Sequence, residues 1–558
     1  MTRISISPRP PINQGIDSTN EMVLAHTQTY NRLLSAVDST HTIQGGPIVV
    51  LNPYGTAPLS GTIGLWAEDE RPVTVEIYTP NSGVVISYQV QPTVGANVLP
   101  LVGLAPEIAN EVHIIDEDSV SYITTVTTAA LPAVDADIPP STGRKTGFPI
   151  VQITVPLVNP PQKTDELYFI SISRRYNIGV DYKGVVRWYT TLDIPSFNLL
   201  RLANGTFLST GNDFDTFKRL YNYDMTGRVY TVYILDNNAH HSLYEMPNGE
   251  ILMPSEYTGQ TSSDGLSIIS LSDGLETAYY DIREVMDTNR VARPQEPTAI
   301  DWIHINQSFY NATNDLLITS GRHQAVWGMK ANDGTLVFIL GNREGWSADF
   351  QQYLLTPVDE TGTPIYDFSQ PADVARADKE FWNWGQHAVL EVPNNTPGIV
   401  EFFLFDNGNY RSRTDADSLL PNDNWSRIVR YLVDTNNMTV QMLFEYGRVE
   451  VASRGYSCYV SNQQVLANGN YLVNFGGHIV DENGRNITEN FGYSDINDPL
   501  AGSQAMGLLT LQEIDPATKL PVFELTSTSG KLKNQVDDGP DFHIEFYSFR
   551  SFKFPIIQ

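Results

Sequence analysis

The sequence predicts an all-β protein, a six-bladed β-propeller preceded by a small N-terminal β-sandwich. Three observations support this fold class. Of the 558 residues, 11% are aromatic, and the 40 glycines and 34 prolines suit many short strands joined by tight turns. A series of short strand-like segments precedes a proline-containing linker. After this linker, a pattern of two strands around a turn recurs six times.

The N-terminal part begins with a moderately helical pattern over residues 24–37. Short strand-like segments follow, each close to Pro, Gly, Asn or Asp, and this spacing favours a small sandwich. These segments are residues 48–51, 59–66, 73–78, 84–90, 98–101 and 111–115. Residues 129–144, with three prolines, have the composition of a linker. We therefore predict a sandwich domain with a short helical start at residues 1–140, and a propeller domain at residues 145–558.

The repeat consists of an apolar strand, a turn on Asp, Asn or Gly, and a second apolar strand. Its copies are residues 178–188, 220–230, 268–277, 326–337, 428–440 and 508–520. Most copies follow another strand pair with its own turn signal, such as Met246-Pro-Asn-Gly249. Four strands per unit favour a propeller, which closes radially around a channel, and a final stretch at residues 543–549 would complete the ring. A β-solenoid is the alternative, although its repeats are usually shorter and more regular.

Charge and composition exclude several classes of function. The net charge of −29 argues against a nucleic-acid partner, which would need a continuous basic surface. No segment approaches the roughly 18 apolar residues of a membrane span, and no signal peptide is evident, so the chain as written is expected to be cytoplasmic, or periplasmic if a signal was removed. The single cysteine, Cys458, excludes an internal disulfide and a thiolate metal cluster.

Three of the ten histidines occupy similar positions within the repeat. His241 and His387 each precede a Pro-Asn turn by the same number of residues, and His304 lies before the equivalent strand of the intervening unit. Because the inner strand of each blade lines the channel, these imidazoles should converge at one mouth of it. Core packing has no preference for imidazole over Leu or Val, so the pattern favours a functional site.

Other polar residues surround these histidines in the sequence. Arg322 ends the second strand of the His304 unit, and its planar guanidinium can hold two oxygens of a sulfate or phosphate. Asn306, His240 and His478 are further candidates for substrate binding. If their segments are extended, His240 and His323 should point away from the channel and act as supports.

An imidazole can attack a sulfuryl or phosphoryl group if donors neutralise the oxygens of that group. The same histidines can instead coordinate zinc or copper, but their spacing matches no short metal motif, and Asn306 and Arg322 favour an anion. A propeller that only binds, as a lectin or scaffold, is a further alternative. We predict no metal and no cofactor. The residue chemistry alone indicates a site for an anion. It does not show whether the transferred group is sulfuryl or phosphoryl.

The chain resembles the bacterial arylsulfate sulfotransferases over nearly its whole length. The resemblance is carried by ordered segments at residues 52–61, 99–104, 240–242, 301–306, 320–323 and 386–387. It implies an enzyme that moves a sulfuryl group from an aryl sulfate donor to a phenolic acceptor, without a nucleotide donor. Members of this family are often periplasmic dimers, so the resemblance also implies a possible homodimer. Some carry a short disulfide near the nucleophile, which a chain with Cys458 alone cannot form.

The resemblance further implies a ping-pong mechanism. The sulfuryl group would pass first to His387, forming a sulfohistidine, and then to the second phenol. His241, His304, Asn306 and Arg322 would hold the sulfuryl oxygens, and His304 would exchange a proton with the phenol oxygen.

Overall fold

The computed structural model describes residues 14–118, 121–132, 148–172, 176–192, 194, 198–211, 218–256, 264–290, 301–419, 423–481, 483, 486, 488, 506–528 and 547–557. The two α-helices in these ranges are Glu21–Ala36 (α1) and Pro371–Glu380 (α2). Neither described α-helix is long and apolar enough to cross a membrane. Short 3₁₀ helices lie at Ile282–Glu284, Ala348–Tyr353, Asp415–Asp417 and Ala452–Gly455.

The remaining elements are strands. Up to the linker they are β1 Gly15–Ile16, β2 Ile48–Leu51, β3 Ser60–Ala67, β4 Val73–Tyr78, β5 Val85–Val90, β6 Gly95–Val102, β7 Ala109–Ile115 and β8 Ser121–Thr127. The next group is β9 Ile150–Val155, β10 Lys163–Thr164, β11 Glu166–Ile172, β12 Ile178–Val180, β13 Val186–Tyr189, β14 Leu200–Arg201, β15 Phe207–Thr210, β16 Arg219–Tyr223, β17 Val229–Ile234, β18 Tyr244–Glu245, β19 Ile251–Ser255, β20 Gly265–Ile269 and β21 Glu276–Asp281. The last group is β22 Ile305–Asn311, β23 Leu316–Gly321, β24 Ala325–Lys330, β25 Leu336–Leu340, β26 Thr356–Pro357, β27 His387–Glu391, β28 Ile399–Asp406, β29 Arg427–Asp434, β30 Thr439–Tyr446, β31 Asn462–Val465, β32 Tyr471–Val480, β33 Met506–Asp515, β34 Leu520–Thr528 and β35 Ser548–Pro555.

Helix α1 starts three residues before the predicted position and packs against the propeller. The side chain of its N-cap, Asn20, accepts a hydrogen bond from the backbone N–H of Val23, which satisfies one free donor of the first turn. His26, the one buried residue of α1, accepts a 2.9 Å bond from the backbone N–H of Val229 in β17. This contact ties the N-terminal segment to a propeller strand.

The N-terminal domain is a sandwich of two sheets, in the orders β2-β3-β6 and β10-β5-β4-β7-β8. The sequence prediction of a small sandwich is confirmed, and each predicted segment lies within a strand or differs from it by a residue or two. The prediction missed β8, an edge strand rich in Ser and Thr whose side chains are largely exposed, because it lacks an apolar alternation.

The prediction of an all-β propeller is also confirmed. Besides the sandwich, the described part of the chain contains six sheets built on four antiparallel strands each, and three of them gain a fifth strand: β1 on the second, β26 in parallel on the fifth and β9 on the sixth. In chain order these are the first sheet (β11–β13 with β35), the second (β14–β17), the third (β18–β21), the fourth (β22–β25), the fifth (β27–β30) and the sixth (β31–β34). Each predicted repeat copy corresponds to the outer two strands of one sheet.

Both ends of the propeller close on strands from distant parts of the chain. β35 pairs with β11, and β9 pairs with β34, so the first and sixth sheets each hold a strand from the opposite end. The predicted closing stretch at residues 543–549 overlaps the start of β35, which runs from Ser548 to Pro555, and residues 543–546 lie outside the described residues.

Two short strands cross the predicted domain division. β1 pairs with β17 of the second sheet, and β10 pairs in parallel with β5 of the sandwich. The predicted boundaries at residues 140 and 145 stay a prediction, because residues 133–147 lie outside the described residues.

The inner strands of successive sheets contact one another. β22 contacts β19 and β27, β27 contacts β31, and β31 contacts β35. Several sheets are irregular at the same end, with bulges after Ile305, after His387 and after Phe475. Bulges of this kind re-aim side chains, and here they lie beside the predicted site residues.

Candidate active site

The structure brings together the three histidines that the repeat pattern singled out. His241 lies just before β18, His304 immediately precedes β22, and His387 is the first residue of β27. The ring centroids of His241 and His304 are 4.8 Å apart, and those of His241 and His387 are 6.4 Å apart. Three successive sheets therefore each contribute one imidazole to a single cluster.

The backbone at this cluster is strained. His241 and His304 have φ angles of 60° and 51°, in the left-handed region that non-glycine residues rarely adopt. Ala388, next to His387, has a φ of 58°. Each such residue costs on the order of 1 kcal/mol, and such residues cluster at functional sites. The left-handed turn at His241 also explains why His240 does not point away as the sequence predicted, since alternation requires an extended backbone.

The hydrogen bonds of His387 determine which of its nitrogens is free. Its Nδ1 lies 2.7 Å from Asn407 Oδ1 and 2.9 Å from the carbonyl oxygen of Gly385. The amide nitrogen of Asn407 donates to the carbonyl oxygens of Ser457 and Val460, which fixes Oδ1 toward the ring. Because both neighbours of Nδ1 are acceptors, Nδ1 carries the proton, and the Nε2 lone pair is available.

His304 belongs to a chain of hydrogen-bonded imidazoles that ends on a carboxylate. Its Nδ1 lies 2.6 Å from Asp301 Oδ2, so this nitrogen carries a proton and donates it. Its Nε2 is 3.1 Å from His241 Nε2, and His241 Nδ1 is 2.7 Å from His240 Nδ1. His323 Nε2 lies 3.6 Å from Asp301 Oδ2 on the other side.

Burial favours the neutral forms of His240, His241, His304 and His387. It lowers the pKa of His387 well below its usual range, and the positive charges of Arg322 and Arg550 act in the same direction. It likewise lowers the pKa of His241, and the pKa of His240 to about 3. For Asp301, burial alone would raise the pKa, but His304 and His323 lower it overall, so the carboxylate is ionised.

Two arginines place positive charge beside the histidines. The backbone N–H of Arg322 donates to the carbonyl oxygen of His304, so the two residues are neighbours across β22 and β23. Among the described residues, the guanidinium of Arg322 has one hydrogen bond, a 3.4 Å contact to the carbonyl oxygen of Cys458, and no carboxylate. Arg550 lies on β35, and its charge lowers the pKa of both His241 and His387.

The remaining predicted residues are placed differently. The Asn306 amide nitrogen donates to the carbonyl oxygen of Gln386 at 2.7 Å, so Asn306 holds the backbone next to His387, while its Oδ1 is buried without a partner among the described residues. His478 is not part of the imidazole cluster. Its ring nitrogens lie 3.4 Å from Ser457 Oγ and 3.5 Å from Thr510 Oγ1.

One group of side chains in the described residues has the composition of a metal site. Ligand atoms of Asp301, His304 and His323 all lie within 4.8 Å of one another. The 2.6 Å hydrogen bond between Asp301 and His304 already uses two of these atoms. A metal ion would have to displace that proton, so the group also fits a carboxylate that orients two imidazoles.

Sequence reasoning gave no role to Asp301, Asn407 or Arg550. Asp301 begins the segment at residues 301–306, and its position three residues before His304 was the signal that could have identified it. Asn407 follows β28, the strand that pairs with β27, so a correct hairpin register would have placed it near His387. No sequence pattern near Arg550 indicated a role in the site, because β35 reaches the site only by closing the ring of sheets.

Comparison with known families covers both domains. The family model described as arylsulfotransferase (ASST) matches residues 153–536, and that of the arylsulfotransferase Ig-like domain matches residues 48–130. An arylsulfate sulfotransferase AssT from Escherichia coli is 24% identical over 527 residues, covering 77% of this chain and 85% of that protein. The protein of the same name from Lelliottia amnigena is 23% identical over 509 residues, covering 74% and 81%.

Two similar solved structures superpose on this chain with low TM-scores. The β-propeller domain of Cps50 (Swd1) from Myceliophteria thermophila has a TM-score of 0.31 and 11% identity, and covers 68% of this chain and 100% of that one. BamB from Moraxella catarrhalis has a TM-score of 0.24 and 9% identity, and covers 53% and 73%.

Proposed function

The chain belongs to the arylsulfotransferase family and is a sulfotransferase, and we propose that it transfers a sulfuryl group from an aryl sulfate to a phenol through a sulfohistidine at His387. The observation that carries this proposal is the tautomer of His387. Two acceptors hold the proton on Nδ1, and the free Nε2 lone pair lies in a cluster with Arg322 and Arg550, neither of which has a carboxylate partner among the described residues.

In the first step, the Nε2 lone pair of His387 attacks the sulfur of the aryl sulfate. A nitrogen–sulfur bond forms, the bond from sulfur to the aryl oxygen breaks, and the phenolate oxygen leaves with that electron pair. His304 supplies a proton to this oxygen. Once the sulfate anion is bound, Nε2 of His304 takes up a second proton from solvent, Asp301 stabilises the resulting imidazolium, and Nε2 then donates this proton to the leaving oxygen. Nδ1 of His387 keeps its proton, so Asn407 and Gly385 support the positive charge of the modified ring.

In the second step, the acceptor phenol enters after the first phenol has left. Its oxygen attacks the sulfur, its proton passes to Nε2 of His304, and the nitrogen–sulfur bond breaks with return of the electron pair to His387. The same residues thus serve both halves of the reaction, and His304 alternates between acid and base.

The environment of the sulfuryl group supports this assignment. Arg322 has no carboxylate partner among the described residues, so its guanidinium is available for sulfuryl oxygens. Because Nε2 of neutral His304 is an acceptor, Nε2 of His241 carries the hydrogen of their mutual contact, and this N–H can turn to a sulfuryl oxygen once substrate replaces the contact. Such preorganised donors stabilise charge that develops on the oxygens in the transition state.

The test is a transfer assay with p-nitrophenyl sulfate as donor and phenol as acceptor. We expect release of nitrophenol that requires phenol, together with formation of phenyl sulfate. Release without an acceptor would identify a sulfatase, and no release with any of several donors would contradict transfer and favour a propeller that only binds. The same assay with a chelator tests whether Asp301, His304 and His323 hold a metal ion. Loss of turnover would favour a metal-dependent reaction.

Asp301→Asn tests the role of His304. Asparagine keeps the shape but removes the negative charge that stabilises the His304 imidazolium, so we expect turnover to fall about 10- to 100-fold. The loss should be larger for phenyl sulfate than for p-nitrophenyl sulfate, because the less acidic phenol needs the proton more. Equal losses with both donors would indicate a purely structural role for Asp301.

A further inference from the structure

The described part of the chain buries several arginines: Arg187, Arg290, Arg411, Arg427 and Arg550. Burial of an unpaired charge is costly, so such groups normally face carboxylates. Arg187 lies 2.8 Å from Asp181, and Arg411 and Arg427 each lie 2.9 Å from Asp406. Since Arg411 and Arg427 share Asp406, Arg427 also pairs with Glu445 at 2.7 Å, so each of the three guanidinium groups has a carboxylate partner.

Arg290 has no ion pair among the described residues, but its surroundings are acidic. Burial lowers the pKa of Arg290 to about 9 and Arg413 acts in the same direction, while Asp287, Asp378 and Glu344 oppose this shift. The guanidinium also stacks on Trp346, at 4.2 Å from the ring centroid. Three carboxyl groups therefore act on the charge of Arg290.

Arg550 is the exception among these buried arginines. Its terminal nitrogens donate to the carbonyl oxygens of Ser461 and Phe549, both at 3.0 Å, and to Gln307 Oε1 at 3.0 Å. A longer bond of 3.4 Å reaches the carbonyl oxygen of Asn306. No carboxylate of the described residues lies within ion-pair distance, and burial alone shifts its pKa, downward. Neutral oxygens thus fix the guanidinium without neutralising it.

This unbalanced charge lies at the imidazole cluster. Arg550 lies on β35, the closing strand, and its bond to Asn306 connects it to the strand that follows His304. The neighbouring Phe549 ring is 5.8 Å from the ring of His241. The charge of Arg550 reaches both His241 and His387, since it lowers the pKa of each.

The fixed charges of the cluster leave an excess of one positive charge. Arg322 and Arg550 are positive and Asp301 is negative, while lowered pKa values favour the neutral forms of His240, His241, His304 and His387. A sulfate monoester carries a single negative charge, so its binding would neutralise the described part of the cluster. A buried charge that only the ligand can balance is typical of a binding site.

We propose that Arg550 is a second cationic group of the sulfuryl site, with the sulfate group of the substrate as its counter-ion. This inference rests on the proposed function, because it assigns the anion to the same site. Arg550 is a positioning residue in this account, acting through its charge on the bound sulfuryl group and on His387.

The test measures equilibrium binding of 4-toluenesulfonate, an aryl monoanion with a carbon–sulfur bond that cannot be transferred, and of phenol as a neutral probe. Arg550→Met and Arg550→Gln each remove one partner of a buried charge pair. We therefore expect sulfonate binding to weaken about 30-fold or more in both variants. Phenol affinity should change by less than about threefold, and Arg550→Lys should recover part of the sulfonate affinity. Arg290→Met is the matched control, a buried arginine with carboxyl groups close to its guanidinium.

Each outcome decides the proposal. Selective loss of sulfonate binding in either folded neutral variant, with recovery by lysine, supports it. Unchanged sulfonate binding, or equal loss of sulfonate and phenol binding, would overturn it. If neither neutral variant folds, Arg550→Lys decides alone: sulfonate affinity that is largely retained despite a lowered unfolding temperature supports the charge role, and equal loss of sulfonate and phenol binding contradicts it. Wild-type sulfonate binding that depends on Arg550, without any transfer activity, would refute the proposed function and leave this inference standing.

Discussion

His387→Asn is expected to abolish sulfuryl transfer, with a loss on the order of 10⁴-fold or more in kcat, the size seen when a nucleophile is removed. Asparagine can keep a hydrogen bond toward Asn407 but has no ring nitrogen to attack sulfur. The measurement is acceptor-dependent release of nitrophenol from p-nitrophenyl sulfate. Because His387 is buried at 2% exposure, binding of 4-toluenesulfonate should be measured alongside to show that the site is intact.

A matched control is His26→Asn. His26 is also a buried histidine, at 6% exposure, but its ring bonds the backbone of Val229 on the second sheet, away from the imidazole cluster. Its replacement should lower the unfolding temperature without removing transfer. Residual activity of His387→Asn within about tenfold of the wild type would assign the nucleophile elsewhere.

Arg322→Met is expected to give the second largest effect, a fall of about 10³-fold in kcat/KM. The guanidinium of Arg322 has no carboxylate partner among the described residues, so its charge is free to act on the sulfuryl oxygens. Arg322→Lys should restore only part of the activity, because an ammonium cannot hold two oxygens in one plane.

The control for this variant is Arg376→Met, since Arg376 is half exposed and forms an ion pair of 3.1 Å with Asp373 on α2. Its replacement should leave kcat/KM unchanged. An Arg322→Met enzyme within about threefold of the wild type would contradict a direct role for this arginine in the transition state.

Most of the fold could be predicted from the repeat pattern, because each sheet has its own turn signals in the sequence. The outer strand pairs, from 178–188 to 508–520, could be located from local sequence alone. The closure of the ring could be predicted only in part: the stretch at residues 543–549 overlaps β35, but the pairing of β9 with β34 was missed because these strands lie far apart in sequence. The edge strand β8 was missed because its exposed Ser and Thr residues lack an apolar alternation.

The site was predictable to the extent that it follows the repeat. His241, His304 and His387 share a position in successive units, and the structure brings their rings together. The contacts that give each ring its chemistry cross between strands or sheets, as with Asn407 beside His387. They depend on register, on bulges and on left-handed residues such as His304, none of which a local pattern reveals.

The relation of His240 to His241 illustrates this limit. Alternation along an extended strand would put one ring in the channel and the other behind it. The left-handed φ of 60° at His241 breaks the alternation, and the two rings meet at 2.7 Å through their Nδ1 atoms. A single backbone angle thus adds a further imidazole to the cluster.

The most direct measurement is the mass of the peptide that contains residue 387 after the protein meets p-nitrophenyl sulfate without an acceptor. The account predicts a gain of one sulfuryl group on His387, one equivalent of released nitrophenol, and loss of the added mass when phenol is supplied. Transfer without any covalent adduct, or an adduct on a peptide that lacks His387, would contradict it.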